Sequence, residues 1–347
     1  MTSPAVLPPA RSSALAVAFE HRRVLVAGAA GFIGSHLCEL LLALGAEVIG
    51  VDNLTTGRIG NLFTALPNSR FSFESHDIST PFEIAGPLDY VFHLASPASP
   101  LDCACLPLGA IKAGAQGTLN MLDLAQAKQA RLLLASTSAV YGDPQVHPQP
   151  EWYWGNVNPV GPRSVYDEAK RYAEALTTCY RTAGRVDTVI VRIFDTYGPR
   201  MRCDDGRVVP AFLQQARSGE PITVAGDGSQ TRSLCYVDDT VEGLLAAAAC
   251  GCPAPVNIGS PSEISVLRLA EEIRVMTASS SPITFVTLPT DDPKRRCPDI
   301  SVARTELDWE PRVSLAEGLR QTFAWVQSAA LIGGSTSVLT IEELRPE

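Results

Sequence analysis

No apolar run in this chain of 347 residues reaches the ~20 residues that a membrane-spanning helix needs. The nearest candidate, Leu244 to Cys252, is short and Ala-rich and reads as the end of a packed helix. Met1 to Glu20 lack a basic stretch followed by a long apolar core, so they do not read as a signal peptide; with Pro8-Pro9 they read as a flexible leader. A basic excess is missing as well. The formal net charge is −9, which argues against nucleic acid as a main partner, because binding its phosphates needs a basic surface. A few local arginines still suffice to hold a doubly anionic small molecule. Nine cysteines are present, but none forms a CxxC set with zinc-like spacing. The CxC pairs Cys103/Cys105 and Cys250/Cys252 have no histidine nearby and read as buried or incidental thiols. An odd cysteine count without a secretory signal fits a reducing cytosol, so a cytoplasmic location is expected. His21, His36, His76, His93 and His147 are scattered, without the clustering that metal sites need, and no metal is expected. No internal repeat is found.

What is present is an ordinary globular balance of charged and apolar residues, in a chain long enough for one large α/β domain and a smaller second lobe. Arg23 to Ala27 is a short apolar run ending in glycines, which predicts a buried parallel strand. Ile33, Leu37, Leu40, Leu41 and Leu44 recur with helical spacing over Phe32–Leu44, and Gly45 stops that helix. Glu47–Val51 is a second strand. The same alternation continues with a strand at Tyr90–Leu94, a helix at Gly117–Ala127, a strand at Arg131–Ala135, a helix at Tyr166–Arg181 and a strand at Thr188–Ile193. Strands alternating with helices predict an α/β, Rossmann-type, doubly wound parallel sheet. After Gly198-Pro199 the rhythm changes: helices at Val209–Arg217, Asp238–Ala249 and Val266–Met276, a strand at Val256–Ile258, and a Pro-rich stretch at Pro282–Pro298. The expected organisation is a leader (1–20), a dinucleotide-binding domain (21–199), a smaller C-terminal α/β lobe that mainly binds substrate and is partly interleaved (200–328), and a loose tail (329–347).

Gly28, Gly31 and Gly34 form a GxxGxxG turn between the first strand and the first helix. In a dinucleotide site the first glycine permits the tight turn, the second lets backbone N–H groups approach a pyrophosphate, and the third lets helix pack on strand. Phe32 and Ile33 lie within that turn. Asp52 stands at the tip of the second strand, where a carboxylate accepts hydrogen bonds from ribose hydroxyls and repels a 2′-phosphate, so NAD is expected rather than NADP. Asn53, Thr56 and Gly57 follow it, and Asp77-Ile78 follow the next expected strand, where they would meet the adenine.

Tyr166 and Lys170 form YxxxK. On a helix, positions i and i+4 share a face. A nearby ammonium stabilises a phenolate, so the tyrosine pKa is expected to fall toward neutrality and the hydroxyl to take a proton from a sugar hydroxyl as hydride leaves the same carbon. One strand earlier, Ser136-Thr137-Ser138 place hydroxyls at a strand tip opposite the tyrosine.

Together these residues resemble the extended short-chain dehydrogenase/reductases (the NAD-dependent epimerase/dehydratase family), over roughly Arg23 to Val326. The resemblance is most specific to the UDP-glucuronate decarboxylase and UDP-glucuronate 4-epimerase branch. It is carried by Val26–His36, Asp52–Gly57, His93–Pro100, Gly117–Leu122, Ser136–Pro144, Tyr153–Pro159, Gly161–Lys170, Arg192–Met201, Asp205–Val209 and Gly228–Arg232. The stretch from Tyr153 to Lys170 matches best. The resemblance implies a homodimer built from the helix after Gly117 and the Tyr166 helix, and Leu94 and Ala95 as further cofactor contacts. It implies a UDP-sugar substrate held by Pro97, Ser99, Ser138, Ala139, Asp195, Arg200, Arg207, Val208, Arg232 and Arg296, with Arg232 and Arg296 on the sugar–diphosphate and Arg207 on the uridine. Arginine's planar fork suits diphosphate and carboxylate alike.

Three departures shape the expected activity. Decarboxylases of this branch carry a glutamate in S-T-S-E-V-Y-G, and Ala139 stands in its place. A methyl group cannot shuttle a proton, whereas oxidation at C4 needs only Tyr166, Lys170, Thr137 and NAD. The expectation is therefore a UDP-glucuronate 4-epimerase, returning hydride to the other face of a transient 4-keto sugar to make UDP-galacturonate. In that reading the site holds the carboxylate in the ring plane, where its bond is poorly aligned with the carbonyl. The alternative is UDP-glucuronate decarboxylase (UDP-xylose synthase). A non-catalytic NAD-binding scaffold and a dehydrogenase that releases NADH are further alternatives. Asp195 replaces an asparagine of R-I-F-N-T-Y-G, and is expected to need a partner such as Arg192 or Arg200. Leu101–Cys105 replaces a tyrosine-bearing stretch.

Overall fold

A computed structural model describes residues 9–204, 206–252 and 254–333. In chain order the elements are α1 (Pro9–Phe19), β1 (Arg23–Ala27), α2 (Phe32–Ala43), β2 (Glu47–Asp52), β3 (Phe71–Ser75), β4 (Tyr90–His93), α3 (Pro100–Cys105), α4 (Pro107–Lys112), α5 (Thr118–Lys128), β5 (Arg131–Thr137) and α6 (Ser164–Thr182). They continue with β6 (Thr188–Ile193), β7 (Thr196–Tyr197), α7 (Val208–Ser218), β8 (Ile222–Ala225), β9 (Thr231–Ser233), β10 (Cys235–Tyr236), α8 (Val237–Cys250) and β11 (Val256–Ile258). The last are β12 (Glu263–Ser265), α9 (Val266–Met276), β13 (Ile283–Val286), β14 (Arg295–Arg296), α10 (Ser301–Leu307) and α11 (Leu315–Gly333).

The strands that read as continuous apolar runs are buried on both faces, as parallel strands between helical layers must be. They form a seven-stranded sheet in the order β11-β6-β5-β4-β1-β2-β3, with every neighbouring pair parallel. This is the doubly wound Rossmann-type arrangement, with its switch point between β1 and β4. One face packs under α1, α2 and α8, through residues such as Leu37, Leu41, Leu244 and Leu245. The other packs under α5 and α6, through Met121, Leu122, Ala125 and Ala173.

The second lobe is built on two small sheets, β12-β9-β14 and β13-β8. β11 comes after this lobe has begun, yet it returns to the large sheet beside β6.

The expected leader is corrected. α1 carries Leu15 and Phe19 into the core, where the Phe19 ring lies 5.0 Å from Tyr90 and 6.3 Å from Phe92. Burying one such ring contributes roughly 1.5–3 kcal/mol, enough to dock a short helix. The apolar pattern there was too short to separate a docked helix from a leader. The expected tail starts inside α11, and residues 334–347 lie outside the described residues.

Candidate active site

The β1–α2 turn forms the candidate cofactor cradle. Gly28 has φ +87°, and a Cβ there would lie 2.8 Å from the Ala95 nitrogen, so only glycine fits. A Cβ on Gly34 would run into the Gly28 carbonyl, which is why α2 lies so close to β1. Gly31 caps α2 in an extended conformation without a side-chain acceptor. The first N–H groups of α2, at Phe32, Ile33 and Gly34, therefore lack side-chain partners, as an anion-binding helix N-terminus requires.

Asp52 is buried beside this turn. Its carboxylate accepts hydrogen bonds from the Ala30 N–H at 3.0 Å and the Leu54 N–H at 2.8 Å, which aim it. Burial raises its pKa above the usual range, opposed by those two bonds. Gly57 sits so close that a Cβ would come within 2.8 Å of the carboxylate oxygens. Thr56 is half-buried next to it. Asn53 and Asp77 are joined by a side-chain hydrogen bond. The Ile78 carbonyl accepts from Asn120 Nδ2 at 2.7 Å, and Leu94 bonds to the Ala27 carbonyl at 2.9 Å. These residues from five segments gather at and beyond the C-terminal ends of β1 to β4, and the glycine turn, open helix end and aimed carboxylate fit a dinucleotide.

Thr137 ends β5 next to Tyr166 and Lys170 on α6. Its Oγ1 accepts from the Ala139 N–H at 3.1 Å, and its hydroxyl is hydrogen-bonded to that of Tyr166. Lys170 is buried and its Nζ donates to the Ala135 carbonyl at 2.9 Å. Burial pushes Lys170 down to about 8. Burial pushes Tyr166 up to about 12, against the opposing pull of the Thr137 bond. The expected fall in the tyrosine's pKa is thus not produced by the protein's own groups: the phenolate's desolvation outweighs them, and the lysine's charge is itself costly there. Ser138 and Ala139 are buried in the short 3-10 turn Ser138–Tyr141.

The arginines divide. Arg232 and Arg296 are neighbours on paired strands β9 and β14. Arg232 donates to the Pro293 carbonyl at 2.9 Å and to Asp292 at 2.6 Å. Arg296 is buried, and its Nε has no hydrogen-bond partner among the described residues. Arg207 precedes α7, whose first residue is Val208, and its charge acts on Tyr166. Arg200 lies toward α2: its Nη2 donates to Glu39 at 2.6 Å, and its buried Nη1 has no hydrogen-bond partner among the described residues. Asp195 does have a partner, but not Arg192 or Arg200 as expected. Its carboxylate lies 3.9 Å from Arg232 Nε and favours the charged form of Arg296. Ser99 spends a lone pair capping α3, accepting from the Asp102 N–H at 3.0 Å, and the nearby Pro97 carbonyl accepts from Ser96 Oγ.

Three residues of this region were not singled out from sequence. Asp292 bridges Arg232 and, at 3.9 Å, Arg163. Its Pro-rich segment carries no periodicity that would have exposed it. Glu174 holds Arg192 through two hydrogen bonds, at 2.9 and 2.8 Å, one turn beyond Lys170. Asp167 lies inside YxxxK itself, buried, with Oδ1 lacking a hydrogen-bond partner among the described residues. Burial raises Asp167 to about 6. A carboxyl whose folded pKa exceeds its unfolded value stabilises the fold below the unfolded value and loses that contribution as pH rises to about 6. Asp167→Asn is therefore expected to stabilise the protein at pH 7 by up to about 3 kcal/mol and to have little effect near pH 4. Urea unfolding at the two pH values measures this, and equal shifts at both would refute it.

Among the described residues, no helix is long and apolar enough to cross a membrane. Residues 24–259 match the NAD dependent epimerase/dehydratase family. The chain belongs to that family. NAD is its cofactor. The chain is 50% identical over 297 residues to "UDP-glucuronic acid decarboxylase 1" of Arabidopsis thaliana, covering 86% of this chain and 68% of that one. It is 48% identical to the protein of the same name from Xenopus tropicalis, covering 87% and 72%. Among solved structures, a UDP-glucuronic acid 4-epimerase from Bacillus cereus, in complex with UDP-glucuronic acid and NAD, superposes with a TM-score of 0.78 at 29% identity, covering 88% of this chain and 99% of that one. These identities overturn the 4-epimerase expectation. That expectation weighed one residue, Ala139, against the rest of the chain, while about half of all aligned positions are shared with proteins named as decarboxylases.

Proposed function

We propose that this protein is a UDP-glucuronate decarboxylase, a lyase converting UDP-glucuronate to UDP-xylose and CO2. The observation that carries the reading is its identity of about 50% to UDP-glucuronic acid decarboxylases across both the NAD domain and the second lobe. In this reading Tyr166, hydrogen-bonded to Thr137, accepts the proton of the sugar's O4 as C4 is oxidised. Arg232 and Arg296 receive the anionic groups of the substrate, and Lys170 keeps positive charge near the phenol. The resulting 4-ketone is β to the C6 carboxylate. The C5–C6 bond breaks with its electron pair moving into the C4 carbonyl, CO2 leaves, and the enolate oxygen is held by the Tyr166 and Thr137 hydroxyls. C5 then takes a proton from water, and Tyr166 returns its proton to O4 as C4 is reduced. NAD, when bound, would supply the hydride acceptor for the first half and the donor for the second. A β-keto acid carries its own electron sink, so this sequence needs no carboxylate at position 139.

Proton NMR of the protein with UDP-glucuronate and NAD, with trapping of released CO2, tests this. The UDP-xylose anomeric signal growing in step with CO2 is the expected result. UDP-galacturonate without CO2, or NADH accumulating in proportion to product, would refute it.

We further propose that the protein works as a homodimer using α6 and the neighbouring helices. Leu108 and Ile111 of α4, which packs on α6, and Tyr172 of α6 are large apolar residues left exposed. Light scattering is expected to give a mass near twice the chain's 37.0 kDa. A monomer mass would rule this out.

A further inference from the structure

Cysteine and histidine spacing gave no indication of a metal site, but the fold brings donors together from three distant segments. His147 lies on the loop after the 3-10 turn, Glu263 opens β12, and Cys297 follows β14. One ligand atom from each lies within 4.8 Å of the others. His147 Nε2 and Glu263 Oε2 are already 2.9 Å apart. We propose that His147, Glu263 and Cys297 bind a thiophilic divalent cation of the Zn2+ type.

An imidazole nitrogen, a carboxylate oxygen and a thiolate are the three donor classes that Zn2+ takes, and a three-residue set leaves a fourth position for water. With bond lengths of about 2.0–2.3 Å, tetrahedral ligands stand roughly 3–4 Å apart, so closing the site needs a movement of about 1 Å. Thiolate and carboxylate together balance a dication. The surroundings are organised for it. Thr231 Oγ1 donates to Glu263 Oε1 at 2.6 Å and orients that carboxylate, as outer-shell partners of metal ligands do. Gln149 ties the His147 loop to Cys297, donating its N–H to the Cys297 carbonyl at 2.8 Å and accepting the Cys297 N–H on Oε1 at 2.8 Å.

A positive group already sits among these donors. Arg295 Nη2 lies 2.6 Å from His147 Nε2 and 3.1 Å from Glu263 Oε2. The histidine is poorly served by this arrangement. Nε2 faces a donor and an acceptor at once, and Nδ1 is buried with no hydrogen-bond partner among the described residues. Neither tautomer satisfies the ring. The Arg295 side chain is 55% exposed, so it can swing into water and yield its place to a metal ion. Glu263 also borders a groove of about 730 Å³, beside Pro261 and Ser262. Cys297 follows Arg296 directly in the chain, so the ion would be held one residue from a buried arginine of the candidate active site.

The test is titration of the reduced, tag-free full chain with Co2+, read by the thiolate-to-Co2+ charge-transfer band and the visible bands of tetrahedral Co2+, then by competition with Zn2+. One equivalent per chain is expected, with the thiolate band lost in Cys297→Ser and affinity at least tenfold weaker in Glu263→Gln and His147→Gln. Arg295→Gln, an exposed position that leaves all three ligands in place, is expected to bind about tenfold tighter. Circular dichroism and bound NAD content check that each variant is folded. A thiolate band that is missing from the wild type, or that persists in Cys297→Ser, overturns the proposal. So does an unchanged affinity in both Glu263→Gln and Arg295→Gln.

Discussion

Tyr166→Phe is expected to lower turnover of UDP-glucuronate by about a thousandfold, within the range of roughly 10²–10⁴ that a positioned acid–base group contributes. The change removes one oxygen and leaves the ring in place on α6, so folding and NAD content are expected to stay at wild-type levels. The position of Tyr166 is the reason. The Tyr166 hydroxyl is hydrogen-bonded to Thr137 at the tip of β5, and Lys170 is buried one turn further along the same helix. Burial holds the phenol up at about 12, so proton transfer at neutral pH depends on positive charge nearby, which Lys170 supplies while it keeps its proton. Lys170 stands at about 8, hence turnover by the wild type is expected to fall as pH rises past that value. Steady-state rates and NAD extracted from the purified variant measure both points. A Tyr166→Phe protein with activity within threefold of wild type would remove Tyr166 from the chemistry.

Glu174→Leu is expected to cost about 3–5 kcal/mol of stability, the usual price of leaving one member of a buried ion pair alone. The Arg192 and Glu174 side chains are 12% and 13% exposed. Glu174 accepts two bonds from Arg192, at 2.9 and 2.8 Å, and one from Ser136 Oγ at 2.6 Å. Arg192 also donates to the Tyr141 hydroxyl and the Glu151 carbonyl, each at 2.9 Å, and its guanidinium lies 4.9 Å from the centre of the Tyr141 ring. The pair therefore joins β5, β6 and α6 one residue from Thr137, and its loss is expected to reduce activity along with stability. Replacing both partners, as Arg192→Met with Glu174→Leu, is expected to recover a large part of the loss, because no uncompensated charge remains. Chemical unfolding of the two single variants and the double variant measures the coupling. A Glu174→Leu cost below about 1 kcal/mol would show that the pair is not the anchor described here.

The elements that build the large sheet were legible because each is a short apolar run or a helical stripe whose period survives in the sequence. Arg23–Ala27, Thr188–Ile193, Val256–Ile258 and Val266–Met276 have the predicted bounds. The candidate cofactor cradle was legible for a related reason: glycines at a strand–helix turn and an acid at the next strand tip are local features that need only their own segment to be recognised. Local pattern failed where a residue's role depends on what lies across the fold. Whether Pro9–Phe19 docks depends on Tyr90 and Phe92. Which way Arg200 points depends on Glu39.

The sequence by itself determined the doubly wound sheet, the glycine turn between β1 and α2, and the i, i+4 placing of Tyr166 and Lys170 on one helix, since each follows from periodicity or from spacing within one or two segments. Only the tertiary structure decided which charges meet. It paired Asp195 with Arg232, gave Arg232 to Asp292, and gathered His147, Glu263 and Cys297 around one point. Such pairings join segments far apart in the chain, and the physical reason they escape a linear reading is that the long-range packing that brings them together leaves no period between them.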